Sequence, residues 1–185
     1  MEKTRDEAWA LLTEHTKSES LLKHALAVEA CVKAYGAKLG GDPELWGMAG
    51  LLHDFDYERW PEPPEHATKG SEILAAKGYP RELIDAILSH AEWSGVPRDT
   101  PLRKALFACD ELAGFLTAVA LVRPSKKIAD VEVSSVKKKM KDKAFARPVK
   151  REDIVAGAEL LGVPLDEHIA TCLAAMKSAA PSLGL

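Results

Sequence analysis

No apolar run in the 185-residue chain approaches the roughly 20 residues needed to cross a bilayer, and the opening MEKTRDEAWA has no long apolar segment of the secretory kind. A cytoplasmic protein is expected, with no membrane partner. Cysteine is scarce: Cys31, Cys109 and Cys172 are odd in number and form no CxxC pair, which argues against a disulfide framework. Their apolar helical surroundings make them small core residues in a reducing compartment. A surplus of one charge is also missing: 25 Lys and Arg stand against 28 Asp and Glu, net -3. That balance gives no global reason to bind nucleic acid or a lipid surface. Alternating strand pattern is absent too, except for the short VEVSSV at 131–136. There is no internal repeat.

What remains is helical. With 46% apolar and 29% charged residues the chain resembles an average globular protein, which argues against disorder. Its length suits one domain over 1–185. Periodicity predicts helices over 3–15, 19–38, 43–54, 66–77, 80–92 and 101–122, followed by a lysine-rich stretch (126–151) and two closing helices. Ser18 is placed to cap the second helix and Pro43 to open the third. On the second, Leu21, His24, Val28, Cys31 and Tyr35 share one face, so His24 points towards the core. On the third, Trp46, Ala49, Gly50 and His53 share a face whose small residues let another backbone approach. The expected class is all-α.

Four of the six histidines lie between residues 24 and 90: His24, His53, His66 and His90. Asp54 follows His53 directly, and Asp110 stands in an otherwise apolar helix among Leu106, Phe107, Ala113 and Gly114. A carboxylate buried bare is very costly, so Asp110 must be paired, hydrogen-bonded or metal-bound. A cation among interior imidazoles would satisfy both groups. Imidazole and carboxylate donors without thiolate suit Mn, Fe, Co or Ni, with Mg as a further option, better than Zn in a cysteine site. Asp54, with two oxygens, could bridge two ions. His15 and His168, without partners at motif spacing, are expected to be core histidines satisfied by backbone carbonyls.

The order His24, then His53-Asp54, then Asp110, each on its own helix, resembles the HD-domain superfamily of metal-dependent phosphohydrolases, whose pattern is H…HD…D. His66 and His90 match the extended H…HD…H…H…D pattern of members that hold two metals. The resemblance covers about residues 18–122. It implies a single-domain helical bundle of the HD-domain type, a first ion on His24, His53, Asp54 and Asp110, and a second on Asp54, His66 and His90. Where many two-metal members read HDIGK, this chain has His53-Asp54-Phe55-Asp56-Tyr57, so the lysine that contacts phosphate is absent. The tail, through RPSKKIADVEVSSVKKKMKDKAFARPVKREDI and GAELLGVPLDEHI, also looks like a group of uncharacterised bacterial and archaeal HD hydrolases.

The resemblance implies hydrolysis of a phosphoester or phosphoanhydride in a nucleotide or small phosphorylated metabolite, through water activated by one or two divalent ions. Lys69, one turn after His66, and Arg59, behind the HD pair, are the candidate phosphate contacts, with Asp54 at the catalytic centre. Asp56 and Tyr57 are candidate orienters of the ligands. The lysine-rich stretch could steer anions or close over the site; lacking interleaved aromatics, it is not expected to bind nucleic acid. Two other functions share the pattern: a di-iron oxygenase, which oxygen consumption by iron-loaded protein would reveal, and a nucleotide-sensing module, which would bind without turnover.

Overall fold

A computed structural model describes residues 3–185, and every regular element among them is helical. Ten α-helices follow in order: α1 (Arg5–His15), α2 (Glu19–Leu39), α3 (Pro43–Leu52), α4 (Thr68–Ala76), α5 (Arg81–His90), α6 (Pro101–Leu121), α7 (Val133–Met140), α8 (Arg151–Leu161), α9 (Leu165–Ser178) and α10 (Ala180–Leu183). Single 3-10 turns lie at Glu92–Ser94 and Ile128–Asp130. None of the described helices is long and apolar enough to cross a membrane.

Local chemistry sets the ends. Thr4 and Glu7 form a reciprocal capping box on α1. Asp42 accepts from the N–H groups of Glu44 and Leu45 to start α3, with Pro43 in its first turn. Ser18 occupies the capping position of α2 but makes no capping bond; its hydroxyl lies 2.8 Å from that of Ser20. The VEVSSV stretch is not a strand. Val133, Val136 and Met140 recur at three- and four-residue steps, and α7 buries Val136 while Lys137, Lys138 and Lys139 occupy its last turn.

Burial on nearly all sides marks α6 as the central helix. The hairpin of α2 and α3 packs closely because Gly50 has no side chain: a Cβ there would come within 2.9 Å of the Val28 carbonyl. On the other side, a Cβ at Gly157 of α8 would approach the Ala108 Cα to 2.6 Å. One apolar cluster runs from Ala8 to Leu183 and takes in Cys31, Cys109 and Cys172, all fully buried thiols. His168 also belongs to this interior. Its Nε2 lies 2.9 Å from the Ala108 carbonyl and its Nδ1 2.7 Å from the Tyr35 hydroxyl, so one neutral ring ties α9 to α6 and α2.

Candidate metal centre

Three of the motif histidines stand at or just beyond helix ends. His53 follows the last residue of α3, His66 lies in the turn before α4, and His90 closes α5. A helix end frees a side chain from the 100° step of its neighbours, so His53 and Asp54 both reach the same interior point. His24, near the start of α2, and Asp110, midway along α6, complete the set from either side.

The side chains converge through one type of atom. His24 Nε2 is 3.1 Å from Asp110 Oδ1, and His53 Nε2 is 3.4 Å from both Asp110 Oδ1 and Asp54 Oδ2. The other oxygen of Asp54, Oδ1, lies 3.2 Å from His66 Nε2 and 3.3 Å from His90 Nε2. Asp54 thus divides its oxygens between two groups of imidazoles. The donor atoms of His24, His53 and Asp54 lie within 4.8 Å of one another, and so do those of Asp54, His66 and His90.

The remaining ring nitrogens are held from behind. His53 Nδ1–H donates to the Gly50 carbonyl at 2.8 Å, and His90 Nδ1–H donates to the Ile87 carbonyl. His66 Nδ1–H donates to Asp56 Oδ1 at 3.0 Å, while Asp56 Oδ2 accepts from the Gly70 N–H at 2.8 Å. Asp56 therefore orients a candidate ligand and satisfies the start of α4, whose own first-position residue, Ala67, has no capping side chain. Ala67 is turned to φ 61°, a conformation that costs a non-glycine residue roughly 1–3 kcal/mol. Gly70 leaves room for this arrangement, since a Cβ there would meet Asp56 Oδ2 at 2.8 Å.

These backing bonds leave lone pairs on Nε2 pointing at carboxylate oxygens. Two acceptors at 3.2–3.4 Å repel unless a cation or proton lies between them. His53 Nε2 is fully buried with no hydrogen-bond partner, an orphan that an ion beside Asp54 and Asp110 would satisfy. The donor set fits a divalent transition metal. Electrostatics say the same: although burial pushes both carboxyls up, His53 and its fellow imidazoles hold Asp54 and Asp110 well below the usual carboxylate range. Burial opposes charging of His66, yet Asp54 and Asp56 raise it to about 9. The carboxylates demand positive charge in this space.

The centre opens into a cleft of about 520 Å³. Tyr57 packs edge-on to His66, with ring centroids 5.2 Å apart, and Trp93 Nε1–H donates to the His66 carbonyl at 3.3 Å. Both rings remain substantially exposed at the mouth. Glu92, Glu111 and Asp153 line it against one cation, Lys150, whose backbone N–H, not its ammonium, donates to Glu111 Oε2 at 3.1 Å. Burial, then Asp110, pushes Glu111 up to about 7. Sequence reasoning missed Trp93 and Glu111, and named Lys150 only as one member of the lysine-rich stretch. Glu111 adjoins Asp110 and Trp93 follows His90 by three residues, so proximity was the available signal; nothing local singles out Lys150 among the lysines of its stretch.

The two cations expected to contact phosphate stand elsewhere. Lys69 pairs with Glu72 at 3.1 Å on the outer face of α4. The expectation assumed that His66 and Lys69 share a helix, but α4 starts only at Thr68. The guanidinium of Arg59 lies over the Trp60 ring, 4.6 Å from its centroid. Neither lines the cleft. Most of the lysine-rich stretch also faces away: Lys137, Lys138 and Lys141 border a separate surface hollow, and only 148–150 reach the cleft.

An all-helical scaffold thus gathers four imidazoles and two carboxylates into clusters that could hold a metal ion. The sequence model of the HD domain matches residues 21–114, just over half of the chain, and the chain belongs to that family, the HD superfamily of metal-dependent phosphohydrolases. Among solved structures it is similar to the HD domain of the phosphodiesterase PgpH from L. monocytogenes, with a TM-score of 0.53 and 13% identity over 95% of this chain and 99% of that one. At that identity the likeness is one of fold. No curated protein matches the chain in sequence.

Proposed function

We propose that His24, His53, Asp54 and Asp110 hold one divalent transition ion, that Asp54, His66 and His90 hold a second, and that the centre hydrolyses a phosphoester or phosphoanhydride in a nucleotide or small phosphorylated metabolite. The observation that carries this reading is the division of the Asp54 oxygens between two imidazole groups whose far nitrogens are already engaged. Bound ions of this kind activate water and neutralise charge on phosphoryl oxygens. The protein orients the donors: the Gly50 and Ile87 carbonyls and the Asp56 carboxylate fix three rings with Nε2 inward. Tyr57 and Trp93 narrow the approach to His66. The phosphodiesterase named among similar structures agrees with a phosphorylated substrate.

Asp54→Ala should lose both ions and all phosphate release. The check is metal analysis of protein purified without added metal, beside a screen of nucleotides and sugar phosphates with Mn, Fe, Co, Ni and Mg. Unchanged metal content and turnover in the variant would sink the proposal.

A further inference from the structure

Glycine inside a helix costs roughly 0.5–1 kcal/mol relative to alanine, so its presence calls for a reason. At Gly36, Gly50, Gly70 and Gly157 the reason is space: a Cβ would come to 3.0 Å or less of a neighbour. Gly47 of α3, whose Cβ would meet Lys33 at 3.4 Å, is under less pressure, and Gly114 is under none. It lies in α6 one turn after Asp110, and a Cβ there would meet only the His24 ring, at an ordinary 3.9 Å. Packing does not require this glycine.

Gly114 and His24 together border two hollows, the metal cleft and a second cavity of about 600 Å³. That second cavity falls within the size range of small-molecule sites. Leu121, Leu183 and Leu185 form its apolar wall, and Leu121 is half exposed there. The hydroxyls of Ser18 and Ser20 line it too, since Ser18 does not cap its own helix. Lys23, beside His24, lines the space together with Glu19, 2.7 Å away, whose charge offsets its own, so little net positive charge is offered to a second phosphate.

We propose that this cavity is a substrate subsite, entered past the bare Cα of Gly114, that receives the organic part of a phosphoester whose phosphate lies at the metal centre. The inference rests on the function proposed above. It selects a class: monophosphate esters bearing a bulky, uncharged, largely apolar group, in preference to small or polyanionic phosphates.

The test uses manganese-loaded protein and calorimetric titration with two probes, inorganic phosphate and 1-naphthyl phosphate. The wild type should bind naphthyl phosphate roughly tenfold more tightly than phosphate, because the ring buries apolar surface. Gly114→Leu should abolish that preference, read as the ratio of the two affinities within the same variant; Gly114→Ala, with its methyl at van der Waals distance from His24, should fold. If the leucine variant fails to melt cooperatively, Leu121→Glu decides instead, since the half-exposed position tolerates charge and the same preference should fall. A preference that survives in the folded variant, or is missing from the wild type while phosphate still binds, overturns the subsite alone. Failure of both anions to bind the loaded wild type overturns the phosphohydrolase reading and the subsite with it.

Discussion

Asp56 shows how much one residue can control. It has no exposed surface, and each of its oxygens has a different task, one on the His66 ring and one on the Gly70 N–H. Asp56→Ala should therefore weaken the ion held by His66 and His90 by roughly 10- to 100-fold, the usual cost of losing a ligand's backing partner. The ion on His24 and Asp110 should be much less affected. Competitive chelator titration would resolve the two affinities, and equal loss at both positions would contradict the assignment. The sequence marked Asp56 as an orienter from its place behind the HD pair. It could not single out Lys150 within the lysine-rich stretch, because no local pattern connects a cation at the start of α8 with a cleft built from α2, α3, α5 and α6.

At the scale of elements, α6 and its neighbours decide the geometry. Arg151, at the start of α8, donates to the carbonyls of Met140, Asp142, Phe145, Ala146 and Val149 and lies over the Phe115 ring. A single guanidinium thus anchors the end of the lysine-rich stretch to the helix that carries Asp110. The contact among α2, α6 and α9 through His168 makes a pH prediction. Its ring must stay neutral to accept from Tyr35 while donating to Ala108, and burial holds it below the ordinary histidine range. In the unfolded chain the same ring titrates near pH ~6.5. The unfolded state therefore binds the extra proton as pH falls, and the stabilisation is full above that value and lost below it. Urea midpoints should drop from pH 7 to 5, and His168→Leu should flatten the slope. An unchanged slope in that variant would show that His168 does not titrate on unfolding. The periodicity that placed His24 inward was legible because helix faces are a local property. Helix ends were less so: α3 and α5 each stop about two residues early and α4 starts two late, which carries His53 and His66 off regular helix and leaves His90 as the last residue of α5.

For the whole molecule, the candidate ligands span residues 24 to 110 and come from five separate segments. No such site exists in an unfolded chain, so metal binding adds directly to folding stability. At a free metal concentration about 100 times the dissociation constant the gain is about 2.7 kcal/mol. Chelation should lower the melting temperature and added manganese should restore it. A melting curve indifferent to both would mean that the imidazoles and carboxylates are held by protons alone. Fold class and the six candidate ligands were determined by the sequence itself, because periodicity records which faces are buried and ionisable groups at buried positions stand out against apolar neighbours. Tertiary structure alone decided which cations reach the cleft, that Asp54 divides its oxygens between two groups, and that Gly114 opens onto a second cavity. Those properties depend on distances between helices far apart in the chain, and interhelical distance leaves no periodic trace in the order of residues.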